Sequence, residues 1–255
     1  MTNLSTIFAL PGFACSKEMY APLAKEVSHL VALENWGMGE RYNETFGASY
    51  ALKDLASFHW QQIKKENPLS KVVLLGTSMG GFLVQEMAQM FPERVSGLIF
   101  LCTLGPTSNG FISPTPLTEE GLRLFATFPK EQQALYGTEG TVHPSLKEKF
   151  PERYRAIYEY RLTNKANLEE SIKQNDAAIE FLNGSVDFEK ISHLPTLILH
   201  GTNDRFVNPE NAKILHTKFR QSTLLSIDEA DHFFFMEKPE KCAEAINAFL
   251  AKIHL

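Results

Sequence analysis

Cysteine is scarce in this chain of 255 residues: Cys15, Cys102 and Cys242 are odd in number, far apart and without CxxC spacing. That excludes a disulfide framework or a zinc ribbon as the source of stability, and it fits a reducing, cytoplasmic compartment. Long apolar runs are missing as well. No stretch of about 18 apolar residues occurs, and the amino-terminal MTNLSTIFALPGF lacks a basic region followed by an apolar one, so neither a membrane span nor an export signal is expected. There is no basic cluster, and the formal net charge is −5. This balance argues against nucleic acid or an anionic membrane surface as a partner and leaves a small, uncharged or weakly charged ligand. HExxH-like spacing, internal repeats and low-complexity tracts are absent too, so no metal is expected.

What remains is an ordinary globular composition, 44% hydrophobic and 22% charged, long enough to bury a large core. Strand-like apolar runs fall at Thr6–Leu10, Leu30–Leu33, Val72–Leu75, Leu98–Leu101, Thr196–His200 and Thr223–Ile227. Between most of them, Met19–Ser28, Ala51–Asn67, Gly81–Phe91, Asn211–Phe219 and Glu240–Ile253 carry apolar residues at three- and four-residue spacing. Alternating strands and helices predict an α/β fold, here a six-stranded, mostly parallel sheet with helices on both faces. Pro209 after Asn208 reads as a helix start with Asn208 as its cap.

The alternation fails between Gly105 and about Phe188, where a loop, GPTSNGFISPTP, precedes helical patterns at Leu117–Tyr136, Ser145–Leu162 and Asn167–Leu182. The expected organisation is therefore a core of residues 1–104 and 189–255 interrupted by a helical cap over 105–188. Such an insertion leaves and re-enters near the carboxyl ends of the strands and reads as a lid. Its Arg123, Arg153, Arg155 and Arg161 are candidates to hold a substrate carboxylate, although at helical spacing such residues are usually solvated.

The most informative segment is KVVLLGTSMGG, Lys71–Gly81, in which an apolar strand pattern breaks abruptly at Gly76-Thr77-Ser78-Met79-Gly80 and becomes helical. A serine on a sharp strand-to-helix turn needs small residues two before and two after it, and Gly76 and Gly80 occupy those places. The turn lifts the Ser78 hydroxyl above the sheet beside the Met79 N–H, where developing negative charge is stabilised. Such a serine needs a base and an orienting acid, in the order Ser, Asp, His. Asp204, in Gly201-Thr202-Asn203-Asp204 after a strand, is the acid candidate, with Asp228 and Asp187 as minor alternatives. His232 follows the last strand and is the base candidate. His200 lies inside a strand and reads as a packed residue, while His29, His59, His143, His193, His216 and His254 lie away from strand ends. In the loop Leu10-Pro11-Gly12-Phe13-Ala14, Pro11 has no N–H, so Phe13 is the candidate for a second backbone donor to an oxyanion.

On these three loops the chain resembles the α/β-hydrolase fold superfamily, with Gly76–Gly81 as nucleophile elbow, Gly201–Asp204 as acid loop and Asp231-His232 as histidine loop. The resemblance implies a serine hydrolase of esterase type: Ser78 attacks an acyl carbon, His232 acts as general base and then acid, Asp204 orients His232, and water releases the acyl-enzyme without a cofactor. The expected substrate is a small, largely apolar carboxylic ester. Carbon–carbon bond hydrolysis, a lyase reaction on the same groups, or a slow-turnover ligand receptor are the alternatives. Phe111, Phe206 and Phe233 are candidate pocket residues. Two departures from the family pattern stand out, Pro11-Gly12 where His-Gly is frequent and Asp231 where a glycine commonly precedes the histidine.

Overall fold

The computed structural model describes residues 6–253. The outer limits expected for the core, residues 1 and 255, and His254 lie outside the described residues. Six strands form one sheet: β1 (Ile7–Leu10), β2 (Leu30–Ala32), β3 (Val72–Thr77), β4 (Val95–Leu101), β5 (Thr196–Gly201) and β6 (Ser222–Ile227). Every neighbouring pair is parallel, in the order β2-β1-β3-β4-β5-β6. The helices, in chain order, are α1 (Ala21–Ala24), α2 (Leu52–Glu66), α3 (Met79–Met90), α4 (Glu119–Ala126), α5 (Lys130–Glu139), α6 (Leu146–Lys149), α7 (Pro151–Thr163), α8 (Leu168–Asn183), α9 (Phe188–Ile191), α10 (Glu210–Lys218), α11 (Phe234–Glu237) and α12 (Pro239–Ile253).

Every residue of β1, β3 and β5 is buried, whereas the edge strands β2 and β6 are partly exposed. That is why the central strands read as continuous apolar runs: helices cover both of their faces. Because successive side chains point to opposite faces, the sheet divides two cores. Phe8, Leu74, Phe100 and Ile198 pack with Trp60 of α2 and Leu83 of α3 on one side, and Ile7, Val73, Ile99 and Leu197 pack with Met19 and Ile246 on the other. Each such buried side chain contributes roughly 2 kcal/mol.

The strand order reverses between β1 and β3. From β1 the chain runs outward to β2, then returns to place β3 on the other side of β1. The loops leaving these two strands diverge, and the crevice at their carboxyl ends is where open parallel sheets carry ligand sites. The turn after β1 contains Gly12 and Phe13, and the turn after β3 contains Ser78.

Prolines break the expected helices. The pattern over Leu117–Tyr136 divides into α4 and α5 because Pro129 has no N–H to give and restrains Phe128. Pro151 separates α6 from α7 in the same way, and Met19–Ser28 is reduced to a 3-10 turn, Lys17–Tyr20, followed by α1. α10 starts at Glu210 with Pro209 in the cap position, one residue later than Asn208-Pro209 predicts, although the Oδ1 of Asn208 still accepts the Glu210 N–H at 3.0 Å.

Helices α4 to α9 lie between β4 and β5 in the chain. The connector between α7 and α8 is tied to the loop after β2 by backbone pairing: Met38 and Ala166 form an antiparallel bridge, Gly39 N–H donates to Lys165 O at 2.8 Å, and Asn167 N–H donates to Gly37 O at 2.8 Å. Gly37 and Gly39 make this approach feasible. Both have positive φ (+71° and +49°), and a Cβ on Gly37 would stand 2.3 Å from Cβ of Glu170 in α8.

Candidate active site

Ser78 sits between β3 and α3 at φ +54°, ψ −121°, a conformation that costs an L-residue on the order of 1–3 kcal/mol and is sustained only by its surroundings. Those surroundings are visible. Its N–H donates to Leu101 O at 2.9 Å, and its carbonyl accepts from Gly81 N–H at 2.8 Å and from the Thr103 hydroxyl at 2.7 Å. The flanking glycines are required by contact: a Cβ on Gly76 would lie 2.3 Å from Gly80 O, and one on Gly80 would lie 2.0 Å from Leu10 O. Ser78 is partly exposed although almost all its neighbours along the chain are buried.

His232 and Asp204 meet directly, Nδ1 to Oδ2 at 2.9 Å, with both side chains buried. The other Asp204 oxygen accepts the N–H groups of Phe206 and Val207, each at 2.8 Å. Burial alone pushes the Asp204 carboxyl up, but the His232 charge and hydrogen bonds from His200 and His232 outweigh it, so the carboxyl is held well below its usual range. For His232, burial works against the charged ring while Cys102 and Asp204 work for it, and the net direction is upward. No hydrogen bond joins the Ser78 hydroxyl to His232 in this structure. Sites of this kind often tighten only around a substrate.

Two neighbours were not singled out by the sequence. His200 is buried within β5 as its position suggests, yet its Nε2 also lies 3.0 Å from Asp204 Oδ2. Cys102, fully buried just past β4 at φ +41°, presents a ligand-type atom within 4.8 Å of those of both Asp204 and His232. A histidine four residues before the acid and a cysteine leaving the strand beside the elbow were the available signals. Among the described residues Cys102, Asp204 and His232 are the one group with metal-binding donors gathered together. The His232–Asp204 hydrogen bond already occupies two of the donors, so a cation would have to displace the shared proton.

Asp231, the departure from glycine, is a structural clasp. Its buried carboxylate accepts His232 N–H at 2.7 Å and Arg205 N–H at 3.0 Å on one oxygen, and pairs with Arg205 Nε at 2.5 Å on the other. Arg205 continues to the carbonyls of Glu139 and Val142 at 2.7 and 2.9 Å. The N–H of Asp231 donates to Glu237, whose second oxygen accepts His143 N–H. Asp187 pairs with Lys190 at the surface. Asp228 offers its backbone carbonyl to Lys238, and of the three candidate acids it is Asp204 whose carboxylate meets His232.

Gly12 runs beside the elbow, its Cβ position 3.4 Å from Ser78 Cβ, which brings the Phe13 turn alongside the serine. Met79 opens α3 directly after Ser78. Of the candidate pocket residues, Phe206 is 46% exposed with its ring 5.4 Å from that of His232. Phe233 is buried against Tyr160, Phe235 and the Arg161 guanidinium. Phe111 packs on Phe188 and over Gly105 in the core. Arg123 and Arg153 are committed to carboxylates, Glu119 and Glu169 for the first and Glu240 for the second, while Arg161 bonds to the Thr141 hydroxyl. A groove of about 530 Å³ on α5 to α7, lined by Leu135, Tyr136, Tyr154 and Tyr158 among others, includes none of Ser78, Asp204 and His232.

Known proteins share this architecture. The chain is 24% identical over 98% of its length to monoacylglycerol lipase ABHD6 of Mus musculus, covering 76% of that protein. It is 26% identical over 97% of its length to a putative 2-succinyl-6-hydroxy-2,4-cyclohexadiene-1-carboxylate synthase of Bacillus subtilis, covering 90% of it. A thermophilic esterase from Thermogutta terrifontis superposes with a TM-score of 0.78 at 22% identity, covering 98% of this chain and 91% of that one. The family model for the alpha/beta hydrolase fold matches residues 6–239. With a six-stranded parallel sheet, a strained serine at its switch point and a buried His–Asp pair beside it, this chain belongs to the α/β-hydrolase fold family and is a hydrolase.

Proposed function

We propose that the chain cleaves small, largely apolar carboxylic esters through Ser78, His232 and Asp204. The observation that carries this reading is the positive-φ Ser78, lifted by Gly76 and Gly80 and accessible, beside a buried His232–Asp204 pair. The Ser78 oxygen attacks the acyl carbon and its proton passes to His232. The carbonyl oxygen gains charge and is met by the N–H groups of Phe13 and Met79. Collapse expels the alcohol, which takes the proton from His232, and water repeats the sequence on the acyl-enzyme. Asp204, held low by its partners, keeps the imidazole oriented and stabilises its charge. Helices within 105–188 form the cap, and Phe206, exposed beside His232, lines the entrance. Three buried free cysteines support a reducing, cytoplasmic setting, and no helix among the described residues is long and apolar enough to cross a membrane.

The test is hydrolysis of p-nitrophenyl acetate and butyrate by the wild type, Ser78→Ala and His232→Ala. Turnover by the wild type with a loss of roughly 10³-fold or more in both variants is expected. A Ser78→Ala variant that keeps its rate would sink the reading. The relationship to the Bacillus subtilis synthase favours a second reading, in which the same groups act on a bond other than an ester. An inert wild type moves that reading ahead.

A further inference from the structure

The turn that supplies Phe13 is in a conformation its own residues disfavour. Cys15 N–H closes it onto Gly12 O at 3.2 Å, and Ala14 stands at φ +52°. Glycine or asparagine is the usual occupant of a left-handed turn position, and an alanine there is strained. The conformation must therefore be imposed from outside.

The restraints come from α7, α8 and the residue that ends α7. Asn164 brackets the turn with its amide: Oδ1 accepts Ser16 N–H at 2.9 Å and Nδ2 donates to Ala14 O at 2.9 Å. Gln174, fully buried in α8, accepts Ala14 N–H through Oε1 at 3.1 Å and donates to Trp36 O at 3.4 Å. Tyr160 of α7 donates to Ser16 O at 3.4 Å. Both backbone groups of Ala14 are thus held by side chains more than 140 residues away in the chain. The bracket is itself anchored, because Asn164 immediately precedes the Lys165–Asn167 connector that pairs with Gly37–Gly39.

We infer that Asn164 and Gln174 are positioning residues that hold the Gly12–Ser16 turn so that the Phe13 N–H faces the oxyanion, which makes the inserted helices a working part of the oxyanion hole. The inference rests on the ester-cleaving reading and deepens it. An oxyanion donor acts by being fixed before charge develops, and loosening it removes stabilisation from the transition state more than from bound substrate. The consequence is a fall in kcat at nearly constant KM.

The experiment compares Asn164→Ala, Gln174→Ala and Asn164→Asp with the wild type in p-nitrophenyl butyrate hydrolysis and in affinity for an alkyl trifluoromethyl ketone. The ketone carbonyl carbon bonds to the Ser78 oxygen, the hydroxyl proton passes to His232, and the carbonyl π pair becomes the oxyanion. In the alanine variants kcat should fall at least about tenfold with KM within about twofold, and ketone affinity should fall in step with kcat/KM. Asn164→Asp keeps the acceptor for Ser16 N–H but sets a carboxylate oxygen against Ala14 O, so it should lose at least as much as Asn164→Ala. If the alanine variants fail to fold, the aspartate variant carries the test through the same parallel loss. Folded variants with unchanged kcat and ketone affinity, or with a raised KM at constant kcat, overturn the inference while the wild-type turnover keeps the ester-cleaving reading. A wild type that neither hydrolyses the ester nor binds the ketone overturns both.

Discussion

Cys102 and His232 are buried neighbours: the thiol and the imidazole approach within 4.8 Å, beside Asp204, and the backbone of Cys102 is held at φ +41° to put the sulfur there. Burial pushes the Cys102 thiol up, and the neighbouring imidazole works in the opposite direction.

This contact has a consequence for pH dependence. In the proposed role His232 is a base only when neutral, and its pKa is raised well above the ordinary 6.5, with burial opposed by Cys102 and Asp204. The acid limb of kcat/KM should therefore rise through an apparent pKa above 6.5. Cys102→Ala removes a neighbour that favours the charged ring, so the limb should move to lower pH. Superimposable pH profiles for wild type and Cys102→Ala would show that the contact carries no energy.

The elbow glycines should be intolerant for a reason of contact. In Gly80→Ala the new methyl would stand 2.0 Å from Leu10 O, a backbone atom fixed in the central sheet. Urea denaturation should show a loss of roughly 3 kcal/mol or more, or no folded protein. Gly110→Ala is the contrast: at φ +89° with nothing within 4 Å, it meets only backbone strain and should cost about 1 kcal/mol. Equal costs at the two positions would contradict the contact argument.

The clasp between Asp231 and Arg205 joins the acid loop to the histidine loop, and its two ends differ in exposure. Arg205 is half exposed while the Asp231 side chain is fully buried. Arg205→Ala therefore strands a buried carboxylate, with a cost of about 2–4 kcal/mol. Asp231→Asn added to Arg205→Ala should recover part of that loss, because the charge that needed a partner is gone. Chemical denaturation of the two single variants and the double closes the cycle, and strict additivity would exclude the coupling.

The sheet was legible because its central strands are buried on both faces and so read as apolar runs, and the candidates Ser78, Asp204 and His232 stood out because each follows such a run. The helices between β4 and β5 were visible as periodicity, but their breaks at Pro129 and Pro151 were read through. What could not be read was anything set by packing across long separations. Neither Asn164 bracketing Ala14 nor Cys102 standing against His232 leaves a periodic or spaced signature. Asp231 stands out in the sequence as a departure, and only its pairing with Arg205 explains why a buried acid is tolerated where glycine is common.

Glu34 supplies a stability test independent of catalysis. It is 5% exposed; one oxygen accepts Lys17 N–H at 2.9 Å, at the end of the turn that carries Phe13, and the other is buried with no partner. Burial raises its pKa from 4.5 to about 7, against the opposing hydrogen bond from Lys17. Between those values the folded protein holds a proton that the unfolded chain releases, so the contribution of Glu34 to stability falls as pH rises through that window. Above it, both states are ionised and the full cost, on the order of 2 kcal/mol after allowance for partial solvent screening, is present. Glu34→Gln has no such proton. Urea melts at about pH 5 and about pH 8 should show the wild type losing stability relative to Glu34→Gln at the higher pH. The comparison cancels other titrating groups, including the buried Glu237, because they are common to both proteins. A difference between the two proteins that does not change with pH would mean that Glu34 ionises normally. The unpartnered oxygen would then have to be solvated despite its burial.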